Sequence, residues 1–172
     1  DTDLRVKLLG RLAGTDRYFR TREARALTAE AVAIARKLDD PVAQCEALAD
    51  RLVALQGPDE LEAWLELSNE CLALATQTDS HPIRLRTHWY RFGAHLMRGD
   101  TQAAELELEA HSQLTQELRV VIPTALEARM RASRAMMAGE REQAVGHIQR
   151  AFSIDRRTGS PTAMRNFVAM TA

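Results

Sequence analysis

Glycine and proline recur in this chain at nearly regular intervals, and this spacing limits the folds open to it. Glycines at 14, 57, 99 and 139 are spaced by 43, 42 and 40 residues, and prolines at 41, 82, 123 and 161 by 41, 41 and 38. Glycine interrupts helices because it reaches φ > 0, and proline because it lacks an N–H. The two interleaved series therefore divide the chain into repeats of about 41 residues.

The residues between these marks follow a helical period. Apolar residues fall at i, i+4, i+7 and i+11 in Leu27, Ala31, Ile34 and Leu38, and no stretch alternates like a strand for long. Asp40, Asp59, Thr101 and Ser160 stand near helix starts, while Gly99 and Gly139 suit left-handed helix ends. The pattern predicts helices at 2–13, 19–38, 42–56, 59–78, 83–98, 101–118, 123–138, 141–157 and from 162 onward.

Each repeat is then a pair of antiparallel helices joined at a glycine. One such hairpin cannot bury its apolar faces alone, whereas stacked neighbours can. We therefore predict an all-α fold, a right-handed α-solenoid of stacked antiparallel helical hairpins, with residues 1–172 as a single helical-repeat domain. The chain starts without methionine and stops inside an apolar helical pattern, so we expect a fragment of a longer multidomain protein. Its last helix is a candidate surface for oligomer formation.

The charge and cysteine content narrow the class of protein. Lys plus Arg number 23 against 24 Asp plus Glu, so nothing in the net charge of -1 favours nucleic acid or a membrane as a direct partner. The sequence has no long apolar run and no signal peptide, and Cys45 and Cys71 lack a disulfide-framework spacing. These features predict a cytoplasmic protein with buried thiols. A disulfide stays open, since a hairpin turning at Gly57 would bring the two cysteines to similar heights.

The sequence contains no recognisable catalytic or cofactor motif. A phosphate-binding G-x-x-x-x-G-K-[ST], a G-x-G-x-x-G, an H-E-x-x-H and a C-x-x-C are all absent. His88 and His95 stand at i, i+7, yet no cysteine or carboxylate stands at ligand spacing beside them. We therefore expect a protein that is not an enzyme and that has no cofactor and no metal.

One segment resembles tetratricopeptide repeats. In ARMRASRAMMAGEREQAVGHIQRAFSID, residues 128–155, small residues late in one helix precede a glycine bend and an alanine in the next helix. The units are longer than the roughly 34 residues of that family, and Asp50 stands where the family usually has a small residue. The resemblance implies that the first helix of each hairpin lines a concave surface where partners bind. The residues that match the family's positions are Ala132, Ala135, Gly139, Ala144, Ile148 and Ala151.

A second resemblance concerns function. Residues 30–75 are similar to the helical-repeat region of large bacterial regulators, including ATP-binding LuxR-type and cyclase-linked transcriptional regulators. The resemblance implies a cytoplasmic sensor or regulatory module in signal transduction, which binds a ligand, a protein partner or an adjacent domain of the same chain. Two alternatives remain: a generic scaffold for protein complexes, and an accessory region of an ATPase or nucleotide cyclase whose active site lies outside this chain.

A basic stripe is the candidate binding surface. In helix 83–98, basic or titratable residues recur at steps of four and three between two apolar faces. Arginines bind carboxylate or phosphate through forked hydrogen bonds, so the stripe would suit a small anionic ligand or an acidic helix of a partner. The alternative is a face neutralised by carboxylates of an adjacent helix of the same chain. The predicted binding residues, with extensions in neighbouring repeats, are Arg51, Arg84, His88, Arg91, His95, Arg98, Arg131 and Arg134.

Overall fold

The computed structural model describes residues 2–15, 22–55, 57–118 and 121–171, and every regular element within these ranges is helical. This finding confirms the all-α prediction for the described part of the chain. A short 3-10 turn, Pro58–Glu60, precedes the fourth helix. The α-helices are α1 (Thr2–Thr15), α2 (Arg22–Ala35), α3 (Pro41–Ala54), α4 (Leu61–Gln77), α5 (His81–Arg98), α6 (Thr101–Leu118), α7 (Val121–Met137), α8 (Arg141–Arg157) and α9 (Ala163–Thr171).

Aspartates begin two of the helices. Asp40 Oδ1 accepts from the backbone N–H of Val42 at 2.9 Å and of Ala43 at 3.3 Å, so it caps α3. Asp100 Oδ1 accepts from the N–H of Ala103 at 2.9 Å at the start of α6. Both carboxylates satisfy N–H groups that have no partner within the helix.

Left-handed residues end several helices, because this conformation turns the chain out of the helical path. Gly99 has φ 80° and Gly139 has φ 75°, as the sequence predicted. Gly159 (φ 67°) and the non-glycine Asp79 (φ 52°) adopt the same conformation. Gly14 differs, since it lies within the last turn of α1. The predicted start of the second helix at residue 19 lies outside the described residues.

The chain divides into two compact units, residues 1–104 and 105–172. In the first unit, each of the helices α1 to α5 packs against the next one along the chain. In addition, α3 contacts both α1 and α5. The odd-numbered helices of this unit therefore lie side by side. The single repeat domain over 1–172 stays a prediction.

The core of the first unit combines large and small residues. Leu48, Leu52, Trp64 and Tyr90 are buried, and the centroids of the Trp64 and Tyr90 rings are 6.2 Å apart. Small side chains let the helices approach closely, because each removes volume from the interface. The buried alanines of α3 are Ala43, Ala47, Ala49 and Ala54.

In the second unit, α7 packs against α8, and α8 packs against α9. Ala144 is buried on α8, which fits the small residue expected there from the repeat pattern. Phe167 of α9 packs on Phe152 of α8, with ring centroids 4.6 Å apart. Val168 remains 53% exposed, so α9 covers only part of its apolar surface within this unit.

Candidate functional site

The basic stripe of α5 lies against α4 over part of its length. Arg91 Nη1 donates to Ser68 Oγ at 3.3 Å and to the side-chain oxygen of Asn69, while Arg98 Nη1 is 3.5 Å from Glu62 Oε2. All three partners belong to α4. These contacts favour the interpretation that this part of the stripe helps α5 to pack on α4. Its role as a binding surface stays a prediction.

The remaining stripe residues of α5 are half-buried. Arg84, His88 and His95 are each partly covered, and the Arg84 Nε atom is buried without a hydrogen-bond partner among the described residues. A guanidinium nitrogen in such a position is costly to desolvate unless it is satisfied by water or a ligand. The stripe is thus more enclosed than a freely solvated charged face.

Arg51, the predicted start of the stripe, connects α3 to α2. Its Nη1 donates to Thr28 Oγ1 at 3.2 Å and to the backbone carbonyl oxygen of Arg25. Burial lowers the pKa of this guanidinium. Arg51 is therefore engaged between two helices of its own unit.

Arg131 and Arg134, the predicted end of the stripe, belong to the second unit and have acidic neighbours. Arg131 Nη2 is 2.9 Å from Glu127 Oε1 and 2.9 Å from Ser112 Oγ. Arg134 Nη1 is 2.9 Å from Glu140 Oε2, and its Nε is 3.5 Å from Glu105 Oε2. Carboxylates of the same unit therefore offset part of this positive charge.

The first unit contains a cleft on the side where α1, α3 and α5 meet. Its volume is about 250 Å³. Two carboxylates come from the central helix, one cation comes from each flanking helix, and two apolar side chains complete the lining. The lining residues are Val6 and Lys7 of α1, Glu46, Ala47 and Asp50 of α3, and Arg86 of α5.

The charged residues that line the cleft differ in the contacts that they make with the rest of the chain. Glu46 and Asp50 are one helical turn apart, so both project from the same face of α3. Among the described residues, neither Glu46 nor Arg86 forms an ion pair or a side-chain hydrogen bond, although both line this cleft. Both side chains are half-buried. Among the described side chains, Glu46 and Arg86 are therefore two opposite charges that a bound molecule could contact.

The side chain of Asp50 lies against α1 at Gly10, where the absence of a side chain leaves room for it. Its Oδ2 atom lies 2.1 Å from the position that a Cβ atom on Gly10 would occupy. Gly10 itself is buried in α1. Gly10 therefore supplies the small residue at this contact between α1 and α3, and the Asp50 carboxylate fills the space.

Sequence reasoning missed Lys7, Glu46 and Arg86 as a group. A signal was present in Glu46 and Asp50, because two acids at i, i+4 stand on a helix that is otherwise rich in alanine. Arg86 does not belong to the series that defines the basic stripe. The pattern on α5 therefore predicted a binding surface on another face of that helix.

The two thiols of the first unit face each other. Cys45 Sγ lies 4.0 Å from the carbonyl oxygen of Cys71, and Cys71 Sγ lies 4.0 Å from that of Cys45. Cys71 Sγ is also 3.5 Å from Thr87 Oγ1. The cysteines are free and buried. A hydrogen bond with Cys45 and burial both raise the pKa of the Cys71 thiol, which makes it a poor nucleophile.

Comparison with known proteins leaves the site to be judged on its geometry. No model of a protein family matches this chain. No curated protein matches its sequence. Across the described ranges, no three side chains of His, Cys, Asp or Glu come together in a way that could hold a metal ion. None of the helices in that part of the chain has the length and apolarity needed to cross a membrane.

Proposed function

We propose that this chain is a non-catalytic binding module and that the cleft of its first unit holds a small molecule or a segment of a protein partner. The observation that carries this proposal is the cleft of about 250 Å³, in which charged groups of both signs from three helices converge. Ligand sites are typically concave, with apolar lining and a few placed polar groups. Val6 and Ala47 supply the apolar lining here, and the four charged side chains supply the polar groups.

The proposed architecture is a right-handed α-solenoid of tetratricopeptide-like hairpins with a unit of about 41 residues. The contacts of α3 with both α1 and α5 support it, because the first helices of successive hairpins pack side by side in such arrays. In this arrangement, α1, α3 and α5 are the first helices of three hairpins. The cleft would then lie on the surface that they form together.

The proposed biological role is that of a cytoplasmic sensor or regulatory region in a bacterial signal-transducing or transcriptional regulator. The resemblance of residues 30–75 to the repeat regions of such regulators supports it. Binding in the cleft would be passed to an adjacent domain through the packing of the helices, without chemistry in this chain. The complete reading frame is the first check, since a nucleotide-binding motif or a helix-turn-helix beside the repeats would fit this role.

Amide NMR of the isotope-labelled chain tests where binding occurs. The chain is titrated with a panel of short acidic, basic and mixed-charge peptides and with a panel of small charged molecules. We expect shifts concentrated around Glu46, Ala47 and Arg86, and we expect them to weaken or disappear in the single charge reversal Glu46→Lys, which leaves three cations and one carboxylate among the described lining residues.

The matched control is Glu66→Lys, which changes an exposed acid of α4 away from the cleft residues. This variant should bind as the unmodified chain does. Shifts that follow Arg91 and Arg98 instead would move the site to the basic stripe. If no probe in either panel moves an amide of the cleft at millimolar concentration, the proposed function of the cleft is wrong.

A further inference from the structure

We infer that the cleft between α1, α3 and α5 selects a small zwitterion, a molecule that carries an ammonium group and a carboxylate, on the scale of an α-amino acid or a dipeptide. This inference rests on the proposed function, because it assumes that the cleft is the binding site. It adds the chemical class of the ligand and the residue that recognises each of its two charges.

Charges of both signs lie in the lining of the cleft. The described residues of the lining include two cations, Lys7 and Arg86, and two carboxylates, Glu46 and Asp50, whose formal charges sum to +2 − 2 = 0. A simple anion would meet two carboxylates in the cleft, and a simple cation would meet two basic groups. Neither gains from the net field, whereas a molecule with both charges can gain at both of its ends.

Glu46 and Arg86 are the two residues that we assign to recognition of the ligand. Within the described part of the chain, neither Glu46 nor Arg86 is engaged in an ion pair or a side-chain hydrogen bond. They stand on neighbouring helices and do not pair with each other. A ligand ammonium can donate to Glu46, and a ligand carboxylate can accept two hydrogen bonds from the forked guanidinium of Arg86.

Asp50 and Lys7 are not assigned a direct contact with the ligand, because each of them already has an interaction in the structure. The Asp50 carboxylate lies in the space left by the missing side chain of Gly10, where α1 packs on α3. Lys7 is exposed. We assign Asp50 the role of adding negative potential beside Glu46, where the ammonium group would sit. Glu46 and Arg86 make the direct contacts.

Size and lining restrict the ligand further. The volume of about 250 Å³ lies just below the range of roughly 300 to 1,000 Å³ that is typical of pockets for drug-sized ligands. Val6 and Ala47 offer a small apolar surface between the charged groups. A short aliphatic side chain fits this lining.

The test uses zwitterions and analogues that each lack one charge. Isotope-labelled chain is titrated with glycine, L-alanine, L-leucine and L-alanyl-L-alanine. It is then titrated with 4-methylpentanoate, which is leucine without its amino group, and with 3-methylbutylamine, which is leucine without its carboxylate. We expect at least one zwitterion to shift the cleft amides, and we expect the two single-charge analogues to bind about tenfold more weakly than leucine or not at all.

Two substitutions assign the ends of the ligand. Glu46→Gln and Arg86→Gln should each weaken binding of the zwitterion by about tenfold, because each removes one charged contact. The matched controls, Glu66→Gln on α4 and Arg157→Gln on α8, change exposed charges and should leave binding unchanged. Thermal melts of all four variants verify that the fold is intact. Because both cleft residues are half-buried, we expect only small changes in melting temperature.

The outcomes separate the inference from the proposed function. If 4-methylpentanoate binds in the cleft as tightly as leucine, the cleft recognises anions, and the zwitterion inference is wrong while the binding function stands. The same holds if charged peptides shift the cleft amides and none of the four zwitterions does. If a zwitterion binds but Glu46→Gln and Arg86→Gln leave its affinity unchanged, the assignment of recognition to these two residues is overturned.

Discussion

The carboxylate of Asp50 lies against the backbone of Gly10, with its Oδ2 atom 2.1 Å from where a Cβ atom of residue 10 would stand. Gly10→Ala would normally stabilise a helix by up to about 1 kcal/mol, because alanine has the higher helix propensity. Here the new methyl group meets the far end of the Asp50 side chain, which has to move, so we expect the gain to be lost and stability to fall by about 1 kcal/mol. Urea denaturation measures it.

The control for this prediction is a double-mutant cycle with Asp50→Ala. Once the carboxylate is removed, Gly10→Ala should become neutral or stabilising, because only the propensity gain remains. Additive effects of the two substitutions would contradict the contact between α1 and α3 at this point.

The partly buried ion pair of the second unit should be sensitive to the loss of one partner. Arg129 Nη1 is 2.7 Å from Asp155 Oδ2, and the two side chains are only 17% and 7% exposed. Arg129→Met leaves a buried carboxylate without its cation, so we expect the unfolding free energy to fall by about 3 kcal/mol. Replacing both residues, as Arg129→Met with Asp155→Leu, should recover much of this loss.

An exposed ion pair provides the comparison. Arg36 Nη2 is 2.7 Å from Glu70 Oε2, the same distance, but these side chains are 55% and 40% exposed. Arg36→Met should change the unfolding free energy by less than about 1 kcal/mol, because solvent screens the pair. Equal losses for Arg129→Met and Arg36→Met would show that burial does not set the energy of these pairs.

His147 should make the stability of the chain dependent on pH. Burial, followed by the charges of Arg131, Arg150 and Arg134, lowers the pKa of His147 below its ordinary value of 6.5. The unfolded chain therefore binds a proton more readily than the folded chain, so the unfolding free energy decreases as pH falls through the ordinary histidine range. His147→Gln should flatten this part of the pH profile in thermal melts.

Salt provides an internal check on the cause. Added salt screens the repulsion between protonated His147 and the arginines, so the difference between the unmodified chain and His147→Gln at acidic pH should shrink. If the two proteins lose stability in parallel as pH falls, His147 does not contribute to the pH dependence.

Charge reversal on α5 distinguishes the two interpretations of the basic stripe. In the variant with Arg91→Glu and Arg98→Glu, residue 98 faces Glu62 with a like charge, and Ser68 and Asn69 lose a donor. We expect a lower melting temperature, with ligand binding in the cleft unaffected. Arg157→Glu, at an exposed position of α8, is the control and should leave the melting temperature nearly unchanged. A stable double variant that loses ligand binding would instead make the stripe the binding site.

The sequence predicted the bounds of a helix accurately where a helix-ending residue, such as glycine, stands close to that bound. The predicted ranges 101–118 and 141–157 coincide with α6 and α8, since left-handed Gly99 and Gly139 end the preceding helices. The prediction was less accurate at 59–78, because Pro58 begins a 3-10 turn and α4 starts only at Leu61. Such a turn depends on tertiary packing as well as on local preference.

The candidate cleft was harder to predict, because its members come from different helices. Periodicity on α5 identified a basic face, but it did not reveal that α4 lies beside Arg91 and Arg98. Lys7 and Arg86 are far apart in sequence and meet at the cleft only through the contacts of α3 with α1 and α5. Periodicity within one helix carries no information about which neighbour covers each of its faces.

The position of the cleft across three helices has a mechanical consequence. Its lining residues come from α1, α3 and α5, and α3 contacts both of the other two helices. A small change in the angle at which α1 or α5 crosses α3 would widen or narrow the cleft. A molecule held between Glu46 of α3 and Arg86 of α5 would therefore fix the angle between these two helices.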